Sequence, residues 1–511
     1  MNPIHSWTLV EMLSALWKHV GRRRRIQLIA IGALMLLSII AELASIGAIL
    51  PFLGALSAPE NLFSNAWAGP LVHGLGLVDP NQLLLPLTVL FGLAILFSAA
   101  ARIALLWAQT RFSFAIGADL GMDVYRRTLY QPYAVHVARN SSEVISGIMN
   151  KVGSLVFIAI LPVLNMASSA LILISVMCLL VMIEPVISII TFLGFGAIYA
   201  LISGLTKQQL LRDGQLVTQE QNQLLKLLQE GLGGIRDILI GGPEIYLRYF
   251  RNADLSLRRS SANIAIIGGV PRYAIEALAT ILIASMAYAM AGRSGGLTAT
   301  IPVLGALALG AQRILPLLQQ IYHSFTAMRG GKAVLADALV LLAQPMPVIP
   351  AMAEDEPIPF QQEIVFRDLR FRYNHQASWI LNGIDLKIPR GCRLGVIGVT
   401  GSGKSTLIDI LMGLISPTQG TLSVDGRVVG EANRRAWQMH IAHVPQNIFL
   451  ADTSIAENIA FGLAKDEVNP QRVRLAAEQA QIAATIENWR DGYGTVVGER
   501  GIRPPAVSAN G

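Results

Sequence analysis

The sequence predicts a membrane α-helical bundle followed by an α/β domain of the P-loop type, and three observations carry this prediction. Hydrophobic residues make up 53% of the 511 residues and charged residues only 14%, against roughly 25% charged in an average globular protein. Long uncharged runs fill the N-terminal part of the chain. A glycine-rich string with phosphate-binding spacing begins at Gly398.

Six apolar stretches are long enough to cross a membrane as helices, which takes about 20 residues each. They run over 26–56, 83–108, 155–183, 186–205, 264–291 and 297–321. The first stretch follows four arginines, but it is far longer than the apolar core of a secretory signal peptide, which is about 7–15 residues. We therefore predict six transmembrane helices.

The charges between the apolar stretches orient them. The first connection contains Glu60 and Asp79 but no Lys or Arg, the turn at Glu184 and Pro185 contains none, and the fifth connection has only Arg293. The second and fourth connections are, in contrast, rich in Arg and Lys. Because positive charge favours the cytoplasmic side, we expect these two connections and both termini to be cytoplasmic.

The two basic connections are predicted to be cytoplasmic extensions of the spanning helices. Apolar residues recur near helical spacing between Leu210 and Leu228, as in an amphipathic helix. Five glycines between Gly231 and Pro243 predict a short transverse element there. A separate small domain is the alternative. On the other side, the segment from Asn61 to Leu77 is predicted to lie on the membrane surface.

Composition divides the chain into three predicted parts. Residues 1–343 form the six-span domain, a Pro-rich linker covers 344–360, and the α/β domain occupies 361–511. Short alternating runs at 363–366 and 386–388 are typical of half-buried strands.

The α/β domain contains the predicted phosphate site. Its residues are Gly398, Val399, Thr400, Gly401, Ser402, Gly403, Lys404, Ser405 and Thr406. An apolar run at 394–397, predicted as a strand, precedes the loop, and an apolar run at 407–414, predicted as a helix, follows it. This is the context that the G-x-x-x-x-G-K-[ST] motif needs.

The motif's residue types suit a nucleoside triphosphate with Mg²⁺. The glycines let several backbone N–H groups point into one anion-sized nest, and the helix N-terminus adds a positive field. Lys404 supplies a charge for the β- and γ-phosphates, and Ser405 offers a hydroxyl to Mg²⁺. Tyr373 is a candidate for stacking on a purine, with a core aromatic as the alternative. Gln446 is a candidate Mg²⁺ ligand or water-orienting group, with an ordinary surface glutamine as the alternative.

Together these features resemble one half of an ATP-binding-cassette (ABC) exporter. The segment Phe371 to Tyr373 resembles the adenine-stacking loop, 398–406 the Walker A motif, 444–446 the Q-loop, and 495–501 an exporter loop that importers lack. The resemblance implies that ATP and Mg²⁺ are the cofactors and that two copies form a homodimer around two ATP molecules. It also implies that ATP hydrolysis drives export.

Within exporters, the membrane part looks most like bacterial flippases of lipid-linked oligosaccharides. The segments that carry this likeness contain Glu42, Arg102, Arg272 and Arg313. The resemblance implies a location in the bacterial inner membrane and a lipid-linked saccharide, or a similar amphiphile, as the substrate.

The intramembrane charges are the candidate substrate contacts. A charge at the bilayer centre costs about 2.5–3.5 kcal/mol on insertion scales, so such residues usually face a cavity or the bundle interior. Arg102, Arg272 and Arg313 are therefore predicted to form a cation cluster for a pyrophosphate head group, with Glu42 in the same lining. Two alternatives remain open: Arg102 and Arg272 reach the membrane interface, or Arg272 pairs with Glu276 at i+4.

The C-terminal sequence departs from the family pattern. The resemblance calls for a Leu-Ser-Gly-Gly-Gln signature after Arg503 and then Walker B carboxylates, but the residues printed there run from Pro504 to Gly511. A set of codons that is permitted for this tail encodes Ser-Gly-Gly-Gln-Arg-Gln-Arg when the reading frame begins one nucleotide earlier. We therefore expect a frameshift near Pro504, a truncated cassette and doubtful ATP turnover by the chain as written.

Other function classes are disfavoured or held as alternatives. Cys178 and Cys392 lie far apart and near no histidine cluster, which disfavours a disulfide framework or a zinc site. The net charge of +7 comes without the basic stripe of a nucleic-acid-binding module. A general lipid, peptide or drug exporter and a non-transporting truncated remnant are the remaining alternatives.

Overall fold

The computed structural model of the chain describes residues 3–57, 59–60, 79–139, 141–183, 185–291, 296–346, 357–374, 376–446 and 448–498. The chain divides into two compact units, Met1–Ile349 and Pro350–Gly511. The predicted surface segment from Asn61 to Leu77 and the tail after Arg503 lie outside the described residues.

The described part of the first unit is helical. Its helices are α1 (Leu9–Lys18), α2 (Arg22–Gly47), α3 (Ile49–Ser57), α4 (Leu84–Leu129), α5 (Tyr133–Ala138), α6 (Ser141–Ser146), α7 (Gly153–Leu155), α8 (Leu161–Ile183), α9 (Pro185–Gly233), α10 (Ile235–Gly241), α11 (Glu244–Ala291), α12 (Gly296–Gly330) and α13 (Lys332–Leu342). Two π-helical segments, Gly147–Val152 and Val156–Ile160, flank α7. Short 3₁₀ turns cover Pro3–Ser6 and Pro80–Leu83.

All six predicted spans lie in helical segments. Within the described residues, three helical stretches are long and apolar enough to cross a membrane by length and composition: Arg22–Leu56, Leu84–Leu129 and Val144–Met182. The first unit is thus rich in apolar, membrane-like helices. The number of spans and their direction stay predictions.

Several helices are much longer than a bilayer requires, as the pattern near Leu210 predicts. Helix α9 contains 49 residues, about 74 Å at 1.5 Å per residue, against a hydrocarbon core of about 30 Å. The short element predicted around Gly231 is the helix α10. After it, Gly242 has a φ of +92°, a backbone angle that side-chain-bearing residues rarely adopt, and α11 begins two residues later.

Close backbone contact and a largely buried ion pair help to hold the helices together. A Cβ on Gly214 of α9 would lie 2.1 Å from the carbonyl oxygen of Gly330 on α12, so these two helices meet where neither glycine has a side chain. Elsewhere Lys151 Nζ donates to Asp337 Oδ2 at 2.6 Å. That pair ties the π-helical segment to α13, and both lie beside a core built on Met12, Leu120 and Leu342.

The second unit is built on an antiparallel sheet. Its elements are β1 (Glu363–Phe371), β2 (Leu381–Pro389), α14 (Lys404–Leu411), β3 (Gln419–Val424), β4 (Arg427–Val428), α15 (Arg434–Gln438), α16 (Ile455–Ile459), α17 (Pro470–Gln479) and α18 (Ala483–Glu487), with 3₁₀ turns at Lys465–Glu467 and Gly492–Gly494. The strand order is β2-β1-β3-β4. Ile364 pairs with Ile388 on one side and Val424 on the other, and its core includes Phe366 and Trp437. Both predicted strands, 363–366 and 386–388, are confirmed.

The prediction of a strand at 394–397 is wrong for this structure. These residues have no regular secondary structure and lie in no ladder of the described sheet, and Ile397 is 94% exposed. A strand of a parallel sheet exists only through hydrogen bonds to its neighbours, and no described segment supplies them. The following helix also begins earlier than predicted, at Lys404. It ends at Leu411, just before Gly413 with a φ of +68°, a typical helix-ending glycine.

Candidate functional site

The predicted phosphate-binding loop lies between residues 394–397 and α14. Gly401 and Gly403 have φ angles of +85° and +88°, values open to glycine and strained for other residues. The Ser402 amide donates to the Val399 carbonyl at 3.2 Å. Lys404 Nζ donates to the carbonyls of Gly398 and Val399, each at 2.8 Å. The ammonium therefore lies over its own loop, where the charge of a bound phosphate would meet it.

Glycine is required at 403 for space as well as for angle. A Cβ there would lie 2.8 Å from Leu381 Cδ2 and 3.1 Å from the Ile380 carbonyl oxygen. The loop is thus held close to the start of β2, and α14 begins directly after it. Its neighbours Val399 and Thr400 are exposed and Thr406 is buried. In this conformation the side chain of Lys404 lies against the backbone of its own loop.

The loop residues fit a nucleoside triphosphate. Lys404 and the amides at the start of α14 would hold the phosphates, because an ammonium and a helix N-terminus both attract anions. The Ser405 hydroxyl is exposed in the first turn of α14 and would hold Mg²⁺. Farther along α14, burial raises the pKa of Asp409, and the nearby His443 opposes this shift.

The two accessory candidates lie outside this loop. Tyr373 lies two residues after the end of β1. It is about half exposed and its ring meets Phe371 edge-on, with centroids 4.9 Å apart. Gln446 is exposed and follows a run without regular secondary structure at 441–445. An exposed aromatic face is what stacking on a base requires, so Tyr373 keeps that role as a hypothesis.

A second site is a cavity of about 600 Å³ inside the helical unit. Helices α2, α3, α4, α8 and α12 line it. The polar and charged lining residues are Glu42, Ser45, Arg102, Gln109, Ser168, Ser169, Gln312, Arg313 and Gln320. Apolar residues such as Phe91 and Leu317 complete the wall, so the cavity presents both polar and apolar surface.

Glu42 is the centre of this cavity's charge arrangement. Its side chain is only 3% exposed, and it lies between Arg313 Nε at 3.3 Å and Arg102 Nε at 3.7 Å. Ser98 Oγ donates to Glu42 Oε2 at 2.5 Å. A buried carboxylate is stable only when paired and hydrogen-bonded. Arg102 keeps 43% of its side chain exposed and Arg313 keeps 26%, so both side chains retain accessible surface.

Arg272 does not line this cavity. Its Nε donates to Glu276 Oε1 at 2.8 Å, one turn along α11, as the i+4 alternative anticipated. The prediction of a cluster of three arginines is therefore wrong for Arg272, because its guanidinium pairs with a carboxylate on its own helix. The cluster in this structure consists of Arg102, Arg313 and Glu42.

Sequence reasoning overlooked several polar residues of this region, among them Ser98, Gln109, Ser169 and Gln320. The signal was available for two of them. Ser98 lies four residues before Arg102 and Gln109 lies seven after it, so all three fall on one helical face. Ser169 and Gln320 belong to other helices, and only the packing brings them to the cavity.

A P-loop unit joined in one chain to a unit of long apolar helices defines the class of ATP-dependent membrane transporters. Residues 381–499 match the family model described as "ABC transporter". The whole chain has the fold of an ABC exporter: a bacterial Atm1-family ABC exporter, solved with ATP bound, matches with a TM-score of 0.71 at 20% identity, over 94% of this chain and 81% of that one. The chain accordingly contains an ABC transporter domain and has the fold of an ABC exporter, with a helical unit rich in apolar, membrane-like helices.

Two named transporters are similar to this chain in sequence. The ATP-dependent lipid A-core flippase of Cupriavidus pinatubonensis is 24% identical over 429 residues, which are 81% of this chain and 70% of that protein. The mitochondrial iron-sulfur clusters transporter atm1 of Neurospora crassa is 37% identical over 140 residues, which are 27% of this chain and 19% of that protein.

Proposed function

We propose that this chain moves a lipid-linked saccharide, or a similar anionic amphiphile, across a bacterial inner membrane, driven by ATP. The observation that carries the proposal is the cavity in which Glu42 stands between Arg102 and Arg313. Two partly exposed guanidinium groups suit the phosphate of a lipid head group, which arginine binds through paired hydrogen bonds.

The cavity's other residues support an amphiphile rather than a small ion. Polar groups such as Gln109 and Gln312 offer partners for saccharide hydroxyls, and apolar residues such as Phe91 and Leu317 accommodate part of a lipid. Relatives named lipid A-core flippases support the same substrate class.

The proposal includes an assembly and an orientation. Two copies form a homodimer, six spans per copy cross the membrane, and both termini are cytoplasmic. The charge pattern of the connections supports this orientation. The proposal also includes the binding of ATP and Mg²⁺ through Tyr373, Lys404, Ser405, Gln446 and the glycine loop.

Direct binding tests the substrate class. The purified chain in detergent is titrated with a pyrophosphate-linked lipid saccharide and, separately, with an uncharged alkyl glycoside of equal chain length. We expect Arg313→Ala and Arg102→Ala each to weaken binding of the charged lipid about 10- to 100-fold, the equivalent of one charge-assisted hydrogen bond. Arg258→Ala, at an exposed pair with Asp254, is the matched control and should bind normally.

The outcomes separate the alternatives. Equal affinity for the charged and the uncharged lipid, unchanged by either cavity variant, would refute the head-group proposal and favour a general lipid, peptide or drug exporter. Loss of binding only for the charged lipid supports it. Mass measurement of the detergent-solubilised protein tests the homodimer independently.

A further inference from the structure

An apolar groove of about 140 Å³ lies at the start of α2, apart from the cavity around Glu42. Residues of α1, α2, α4, α8 and the π-helical segment Val156–Ile160 line it. Its lining includes Leu13, Trp17, Val20, Leu28, Phe112 and Val163. Every lining residue is apolar, and none of them lines the cavity with the arginines. The groove therefore offers nothing that would hold a head group by itself.

Arginine side chains border the groove at one end. The Arg25 guanidinium stacks on Trp17, 5.3 Å from the ring centroid, and donates to the carbonyls of Trp17 and Val20 at 3.2 and 3.0 Å. Arg25 and the lining residue Leu28 stand one helical turn apart on the same face of α2. The cation at 25 is thus fixed at the rim of an apolar groove.

The neighbouring arginines differ in the hydrogen bonds and ion pairs that they form. Arg24 is held by Asp119 through Nε at 2.7 Å and Nη2 at 3.2 Å. Arg22 and Arg23 are exposed and form no hydrogen bond or close ion pair with the part of the chain that the structure describes, although Arg23 lies near enough to Asp119 to help lower the pKa of that carboxyl. Two cations therefore remain available beside Arg25.

We propose that this groove and its arginines form a binding site for an anionic phospholipid of the adjoining leaflet. One acyl chain lies in the groove, and the phosphodiester meets Arg25, Arg22 and Arg23. Charge complementarity selects the occupant. Arginines at the start of a membrane span attract anionic lipid head groups, and a tryptophan belongs at the level of those head groups. This lipid is not cargo but a bound component that anchors α1 and α2.

Fluorescence quenching tests the site on the full chain. The probes are phosphatidylglycerol and phosphatidylethanolamine with brominated acyl chains, added to the protein in detergent, and Trp17→Phe isolates the signal of Trp17. We expect phosphatidylglycerol to quench Trp17 at lower concentration than phosphatidylethanolamine. The double variant R22Q/R23Q should reduce this preference about five-fold for each arginine removed.

Two further variants serve as controls. R248Q/R251Q removes the same charge from exposed positions of α11 and should change the preference less than two-fold. Val163→Phe fills the groove and should reduce quenching by both lipids together. The site is disproved if Trp17 quenching is equal for the two lipids, or if R22Q/R23Q behaves like R248Q/R251Q. The exposed arginine variants keep the test decisive even when Val163→Phe folds poorly.

Discussion

Glu42 Oε1 lies 3.3 Å from Nε of Arg313, which joins α2 to α12 across the cavity. The other oxygen of the same carboxylate receives Ser98 and faces Arg102, both on α4. One buried carboxylate therefore links three helices that are far apart in sequence. This arrangement gives Glu42 a structural role in addition to its place in the lining.

Replacing this carboxylate should destabilise the helical unit. In Glu42→Gln the amide still accepts from Ser98 but leaves two arginines without a counter-charge, so we expect a loss of about 1–3 kcal/mol in the free energy of unfolding. The thermal unfolding midpoint in detergent measures it. Asp254→Asn breaks the exposed pair with Arg258 and should cost only about 0.3–0.5 kcal/mol. Equal midpoint shifts in the two variants would contradict the prediction.

Lys404→Ala should weaken nucleotide binding about 10- to 100-fold. The alanine removes the ammonium that we propose to bind the phosphates, and a charged hydrogen bond contributes about 1.5–3 kcal/mol. Titration of the chain with a fluorescent ATP analogue in the presence of Mg²⁺ measures the affinity. Lys387→Ala is the control, because that lysine is exposed on β2 and pairs with Glu363. Unchanged affinity in Lys404→Ala would overturn the assignment of the site.

Alanine substitutions at two glycines of α9 should have opposite effects. At Gly214 a Cβ would lie 2.1 Å from the Gly330 carbonyl oxygen, so α9 and α12 must separate, at a cost of about 1–3 kcal/mol. At Gly204 a Cβ meets nothing within 4 Å, so alanine should stabilise by up to about 1 kcal/mol through helix propensity. Thermal unfolding midpoints that fall for Gly214→Ala and rise or hold for Gly204→Ala are the expected result. A stable Gly214→Ala would show that the helices do not meet there.

Glu457 should make the second unit sensitive to acid. Hydrogen bonds from Thr453, and then from the side chain and backbone of Ser454, lower the pKa of Glu457 from 4.5 to about 2. A lowered folded-state pKa means that the stabilisation is complete above the unfolded value and is lost as the pH falls through about 2. The difference in thermal midpoint between the wild type and Glu457→Gln should therefore be constant above pH 4.5 and shrink as the pH falls to about 2. A difference independent of pH would rule out the carboxylate as its source.

Periodicity and motif spacing were enough to predict much of this structure. The strands at 363–366 and 386–388 and the long helices around Leu210 follow from alternation and helical repeats, which are properties of local sequence. The glycines around Lys404 predicted the loop for the same reason, since the φ angles they adopt are intrinsic to glycine. The strand at 394–397 failed, because forming a strand depends on partners that no local pattern specifies.

The sequence by itself determined that apolar helices precede a phosphate-binding loop, because side-chain hydrophobicity and backbone preference act over a few residues. Only the tertiary structure decided which intramembrane charges meet. Arg313 and Arg102 converge on Glu42, whereas Arg272 is satisfied by Glu276 one turn away. The physical reason is that the pairing of a buried charge depends on the distance between helices far apart in the chain, and that distance is set by packing.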